Sequence, residues 1–212
     1  MIDFTALPYG DSAVLLELAD PADVLSMRDR LTSWGHSAIR AVVPAARTVL
    51  VEFDRSLADA DLVVGAIGER ATAEPANRAP SAEPVQLPVR YDGADLAEVA
   101  ARCGLSVPAV IEMHAEAEYT VQFCGFSPGF GYLTGLDPRL RMSRLDSPRA
   151  QVPAGSVAIA GEYTGVYPRS SPGGWRLLGQ TTVTLFDLDR QPPALLTPGT
   201  RVRFVPQGPT SR

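Results

Sequence analysis

Few residues in this chain are equipped to do chemistry. Its two histidines and its two cysteines, Cys103 and Cys124, are isolated from one another and give no ligand spacing of the zinc type. A carboxylate-only magnesium site remains compatible with the composition. Cys124 stands in an apolar run beside Phe123 and reads as a small buried side chain. The hydroxyls of Ser170 and Ser171 have no histidine near them in sequence. Gly155-Ser156-Val157 is neither G-x-S-x-G nor the start of a helix, so a self-contained hydrolase is poorly supported. His114 closes a predicted helix and has two readings. It is either a helix-end histidine favoured by the dipole or a pocket residue that handles protons near neutral pH.

The arginines form a fuller set. All 19 basic residues are arginine, which excludes a lysine Schiff base, a P-loop lysine and a lysine general base. Any anion bound here is therefore held by arginine, backbone N–H groups or a partner chain. A GC-rich genome would produce the same bias with no functional cause. Arg144 and Arg149 flank Asp146-Ser147-Pro148, while Arg169 and Arg176 bracket Ser170-Ser171-Pro172-Gly173-Gly174-Trp175. Arginine beside glycine-rich backbone suits a carboxylate or phosphate clamp. The plainer alternative is a set of surface charges paired with Asp137, Asp146 and Glu162.

These residues lie in the stretch Phe123–Thr181, which holds ten of the chain's 18 glycines together with Phe123, Phe126, Phe130, Tyr132, Tyr163, Tyr167 and Trp175. Glycine permits close backbone approach and aromatics supply buried area and flat contact faces. Tight turns around a shaped surface follow, and function is expected there.

The elements that must hold this stretch can be read along the 212 residues. In residues 1–71, a strand at Ser12–Leu18, a helix from Asp20-Pro21 to Trp34, strands at Ser37–Val43 and Arg47–Phe53, and a helix at Ala58–Arg70 predict a small α+β domain with helices on one face. Residues 72–84, rich in proline and alanine, read as a linker. Val85–Tyr91 opens a second domain as a strand. Asp95 is a candidate cap for a helix to Arg102, and a further helix runs from Ser106 to His114–Glu118. After Tyr119 only strands and turns are expected, at Tyr119–Cys124, Ser156–Ala160, Trp175–Leu178, Thr182–Leu188 and Arg201–Val205, which points to a barrel or sandwich through residue 206. Residues 207–212 read as a flexible tail. A net charge of −5 argues against a nucleic-acid partner. With no signal peptide and no membrane-length apolar run, the chain is expected to be cytoplasmic.

Three ordered runs carry a resemblance: GFSPGFGYLTGL (Gly125–Leu136), SPRAQVPAGSVAIAG (Ser147–Gly161) and TGVYPRSSPGGWRLLGQT (Thr164–Thr181). Together with His114 and Glu118-Tyr119 they resemble the bacterial family of B-type 5-oxoprolinase subunits. That family is also called allophanate hydrolase subunit 1 and includes the inhibitor of a sporulation sensor histidine kinase. The resemblance implies an α+β fold, in which a small N-terminal α+β domain precedes a cyclophilin-like β-barrel. It implies a second cyclophilin-like subunit, the C-type 5-oxoprolinase subunit (allophanate hydrolase subunit 2), and a third separate subunit. Together these open the lactam of 5-oxoproline to glutamate. ATP, with Mg²⁺, would bind at an interface or on the partner.

Carried over residue by residue, the resemblance marks His114, Pro128, Gly129, Arg149, Gly155, Ser156, Pro172, Gly173, Gly174 and Trp175 as pocket or interface residues. Arg149 is expected to stabilise phosphate charge and His114 to handle protons, with Arg149→Ala expected to cost the assembled enzyme heavily and leave the fold intact. Arg169 joins them as an anion contact. Gln180 stands where the family has arginine after Gly179, and Ser143 replaces a proline before Arg144. The rival reading is a regulatory protein that docks on a sensor histidine kinase through Phe126, Phe130, Tyr132 or Trp175.

Overall fold

Alternation of buried Val14, Leu16 and Leu18 with the more exposed Leu15 and Glu17 makes β2 (Ala13–Leu18) a half-buried strand. The computed structural model describes residues 1–72 and 83–208. Residues 73–82 of the expected linker and residues 209–212 of the expected tail lie outside the described residues. The chain forms two compact units, Met1–Ser81 and Ala82–Arg212.

In the first unit β1 (Phe4–Pro8), β2, β3 (Ile39–Pro44) and β4 (Thr48–Phe53) make an antiparallel sheet in the order β1-β2-β4-β3. Strand β1 was not expected. It lies at the edge, where Pro8 is tolerated because no outer neighbour needs its N–H. Helices α1 (Asp23–Trp34) and α2 (Ala60–Thr72) add Val24, Met27, Leu31, Val63 and Ile67 to the core beneath Val14, Leu16, Val49 and Val51. Helix α1 has no side-chain cap at its start and ends at Gly35 in the left-handed conformation, φ 63°. A cap is worth about 1 kcal/mol, whereas each fully buried large aliphatic side chain contributes about 1.5–3 kcal/mol. Packing, not capping, holds α1.

The second unit contains β5 (Val85–Val89), α3 (Leu96–Cys103), α4 (Val107–Glu116), β6 (Tyr119–Cys124), β7 (Gly131–Thr134), β8 (Arg149–Val152), β9 (Ser156–Ala160), β10 (Tyr163–Val166), β11 (Ser171–Gly173), β12 (Arg176–Gln180) and β13 (Arg201–Pro206). Seven of these strands form one sheet in the order β12-β9-β10-β7-β6-β13-β5, and β8 and β11 form a separate two-stranded ribbon. The sheet curls until its two edges meet. Just past β5, Arg90 and Gln180 exchange N–H to C=O bonds of 2.9 Å each. The result is a nearly closed, barrel-like sheet. Gly179 makes this seam possible, since a Cβ there would stand 2.4 Å from the Arg90 carbonyl oxygen.

One expected strand is absent. Thr182–Leu188 is irregular, joined to the following chain by the bridge Phe186–Ala194 and the bond from Leu195 N–H to Leu185 C=O. The returning segment begins with Pro192-Pro193, which cannot donate ladder hydrogen bonds.

Candidate functional site

The inner side chains of β9, Val157 and Ile159, belong to the main core of the barrel-like unit. The alternate residues Ala158 and Ala160 face outward. There, with Phe130, Val152, Tyr167, Trp175 and Leu177, they form a second apolar cluster. Its rings pack mainly edge to face. Phe130 lies 5.3 Å from both Tyr167 and Trp175, and Tyr132 lies 5.5 Å from Trp175. Such pairs contribute about 0.5–1.5 kcal/mol each beyond their buried area. Half-buried Phe123 stacks on Tyr132 at 4.3 Å, and Tyr163 stands edge-on to both.

Phe126 lies at the margin of this cluster. It is 60% exposed and is the one non-glycine residue with positive φ (64°) among the described residues. That conformation costs an L-residue roughly 1–2 kcal/mol, and the ring is held edge-on to Phe130 and Tyr167. A large apolar ring exposed on strained backbone points to a binding face.

The arginines divide into two pairs. Arg149 donates from Nη2 to Asp95 Oδ1 at 2.6 Å, and Asp95 Oδ2 accepts the Leu177 N–H at 2.7 Å. Asp95 precedes α3 as expected but makes no side-chain cap bond. Its buried carboxylate ties β8 to β12 instead. Arg176 is buried and reaches Glu98 on α3 at 2.9 Å. By contrast, Arg144 and Arg169 are exposed, and neither forms an ion pair among the described residues. Burial raises the pKa of both Tyr132 and Tyr167, and the Arg144 charge opposes both shifts, so this guanidinium lies within electrostatic reach of the aromatic cluster.

The structure brings Phe126, Gly173, Gly174, Trp175 and Arg149 together around Tyr167. Gly173 is packed so closely that a Cβ would meet the Tyr167 hydroxyl at 2.3 Å. Gly174 C=O accepts the Leu145 N–H at 2.7 Å, and the Trp175 main chain opposes the upward shift that burial gives the Tyr167 hydroxyl. Gly155 and Ser156 act behind the face: Gly155 N–H donates to Tyr167 C=O at 2.7 Å and Tyr167 N–H donates to Ser156 C=O at 3.0 Å. The Ser156 hydroxyl is spent on Pro153 C=O at 2.8 Å. Pro128 and Pro172 are exposed, while Gly129 is buried against Phe186.

His114 is not at this face. It is fully buried, with Nδ1 2.8 Å from the Tyr91 hydroxyl and Nε2 3.0 Å from Thr164 Oγ1. Because Thr164 donates its own proton to Ala158 C=O, Oγ1 accepts from Nε2–H, and Nδ1 accepts from Tyr91. Burial holds the imidazole pKa down, to about 3. A neutral, doubly bonded ring in the core is not suited to moving protons near neutral pH, in contrast to the expected role.

The unfolded chain takes up this proton near pH 6.5, whereas the folded chain does not until far lower pH. Stability from this residue is thus complete above pH 6.5 and declines as pH falls toward 3. The slope is about 1.4 kcal/mol per pH unit. Denaturant unfolding at pH 6.5 and pH 5 should differ by about 2 kcal/mol from this source. His114→Gln should flatten that difference, and an unchanged slope would remove His114 as its origin.

The model of the carboxyltransferase domain, subdomains C and D, matches residues 4–196. The B-type 5-oxoprolinase subunit of Escherichia coli O157:H7 is 44% identical over 211 residues, covering 93% of this chain and 94% of that one. The chain belongs to the family of B-type 5-oxoprolinase subunits. A second family member, from Bacillus subtilis (strain 168), is 49% identical over 124 residues, covering 57% of this chain and 52% of its own. The solved structure of TTHA0988 superposes with a TM-score of 0.78 at 37% identity, covering 94% of this chain and 40% of that longer one. The Kluyveromyces lactis urea carboxylase shares the fold at TM-score 0.71 and 20% identity, this chain spanning 22% of it.

The sequence shows only some of the residues that assemble this family member's face. Asp95 is 54 positions from Arg149, and nothing local links them. Tyr167 carried a signal, since it precedes Pro168-Arg169 in a family run. No helix among the described residues is long and apolar enough to cross a membrane.

Proposed function

We propose that this chain is a non-autonomous subunit of an ATP-dependent 5-oxoprolinase that opens the lactam of 5-oxoproline to glutamate. The match along 93% of the chain to a protein named as the B-type 5-oxoprolinase subunit carries this reading. We read the nearly closed sheet as the cyclophilin-like barrel of that family. The partners in this reading are a second cyclophilin-like subunit, the C-type one, and a third separate subunit.

The aromatic and arginine face is the surface turned to partner and substrate. Phe126, with Trp175 and Tyr132 behind it, supplies an apolar anchor of the kind that dominates interfaces. Arg144, within electrostatic reach of Tyr132 and Tyr167 and without an ion pair among the described residues, supplies a guanidinium group to take an anionic oxygen. Arg149 is a positioning residue, because its charge is engaged by Asp95. ATP and Mg²⁺ are not assigned to this chain's own residues. The sequence has no lysine, and the described residues include no group of three or more His, Cys, Asp or Glu able to hold a metal. In this reading the nucleotide and its Mg²⁺ bind at an interface of the assembled complex or on the partner subunit.

The test is capture of the tagged chain together with its C-type partner and measurement of their affinity. Phe126→Gly should weaken that affinity by about tenfold or more. Its stability should hardly change, since relief of the positive φ offsets the added unfolded-state freedom. Equal affinity for the variant and the parent would remove the aromatic face from the interface.

A further inference from the structure

The four-stranded sheet of the first unit has a second face that its own helices do not use. Side chains alternate along each strand. Val14, Leu16, Val49 and Val51 turn to the core with α1 and α2, so Leu15 and Leu50 turn the other way. The register then lays an unbroken apolar row across all four strands. Leu7 stands opposite Leu15, Leu15 opposite Leu50, and Leu50 opposite Val43. On the two edge strands, Leu7 is 41% and Val43 46% exposed. Tyr9 follows two residues after Leu7, donates its N–H to Ala13 C=O, and adds a ring that is 58% exposed. Single exposed apolar residues are ordinary. Three gathered on one sheet face, with an apolar row through it, mark a contact surface.

The carboxylates on this face all have one sign to offer. One side of the row carries Glu17, opposite Thr5 and Thr48, and the other carries Glu52, opposite Ala13 and Ala41. Both glutamates are exposed, and neither forms an ion pair among the described residues. Of the nearby cations, Arg40 is engaged by Asp54 at 2.7 Å. Arg47 shares a small cleft with Asp3 and Glu17 without pairing with either.

The two acidic flanks select the occupant. A second copy stacked row on row would set glutamate against glutamate in either orientation, and like charges across an interface are unfavourable. An anionic membrane surface would be repelled in the same way. A polypeptide with an apolar stripe between two basic edges fits both the row and its flanks. The sheet already packs helices on its inner face, and a helix outside it would complete a three-layer arrangement.

We propose that this outer face docks a basic amphipathic helix of another polypeptide. The apolar stripe of the helix covers Leu15 and Leu50 and packs against Leu7 and Val43. Lysine or arginine on its two edges meets Glu17 and Glu52. Apolar contact supplies affinity in this mode, and the flanking charges supply selectivity.

The test uses the full chain and a displayed library of helix-forming peptides of about 20 residues, long enough to fold alone. Enriched peptides are expected to carry apolar residues at helical spacing with lysine or arginine on both sides. Their binding should fall by about tenfold or more with Leu7→Lys/Val43→Lys together. Glu17→Lys/Glu52→Lys should reverse the preference, so that selection on this variant enriches aspartate and glutamate instead. Leu7→Ser/Val43→Thr replaces the first pair if the lysines disturb the circular dichroism spectrum. Failure to enrich any binder would overturn the proposal, as would binders indifferent to both pairs of substitutions. Two other results would also overturn it by assigning the face to a different occupant. One is a dimer of the parent chain, seen by light scattering, that Leu7→Lys/Val43→Lys dissociates. The other is binding to phosphatidylcholine–phosphatidylglycerol vesicles that the same pair of substitutions alters.

Discussion

Asp95→Ala is expected to cost about 3–5 kcal/mol, enough to consume much of a marginally stable unit. The carboxylate is 4% exposed and holds two groups at once, the Arg149 guanidinium and the Leu177 N–H. Removing it leaves a half-buried guanidinium and a buried amide without their partner. It also removes one tie between the start of α3 and β12, leaving the Asp95 N–H to Leu177 C=O bond and the Arg176–Glu98 pair to hold them. Arg149→Ala should be costly for the reciprocal reason, since it leaves the Asp95 charge buried against a single N–H donor. That differs from a residue whose removal spares the fold. Urea denaturation of Asp95→Ala and Arg149→Ala provides the check, and midpoints equal to the parent's would contradict the structural role.

Arg144→Ala should behave in the opposite way. Arg144 is exposed, forms no ion pair among the described residues and influences the electrostatics of Tyr132 and Tyr167. Its loss should leave the unfolding midpoint unchanged. If it takes an anionic oxygen of the substrate, turnover of the assembled enzyme should fall by about 100-fold or more, the usual cost of removing one such donor. Arg144→Lys should recover only part of the rate, because an ammonium cannot present a planar fork. Full activity in Arg144→Ala would move anion binding elsewhere on the face.

The contrast between Arg144 and Arg149 marks the limit of what sequence carries. Period and punctuation located most elements: the alternation in Ala13–Leu18, the stop at Gly35, and the strands Tyr119–Cys124 and Ser156–Ala160 all rest on local chemistry. Short strands rich in glycine, such as Tyr163–Val166 and Ser171–Gly173, gave no periodic signal because they are defined by their neighbours. At the site, the aromatics and glycines of Phe123–Thr181 signalled a shaped surface, yet the partners of its arginines lie outside that stretch. Asp95 and Glu98 come from the start of α3, so which guanidinium was engaged and which was free depended on long-range packing. His114 illustrates the same point. Its place at a helix end is local, but its burial is decided by Tyr91, Thr164 and Phe204.

The most direct test of the central claim is 5-oxoproline-dependent ATP hydrolysis by the purified chain, by its partner subunits, and by the two combined. The account predicts no turnover from either preparation alone and turnover on mixing that depends on both 5-oxoproline and ATP. Turnover by the partner subunits that is indifferent to this chain, or a mixture that hydrolyses no ATP when 5-oxoproline is supplied, would contradict it.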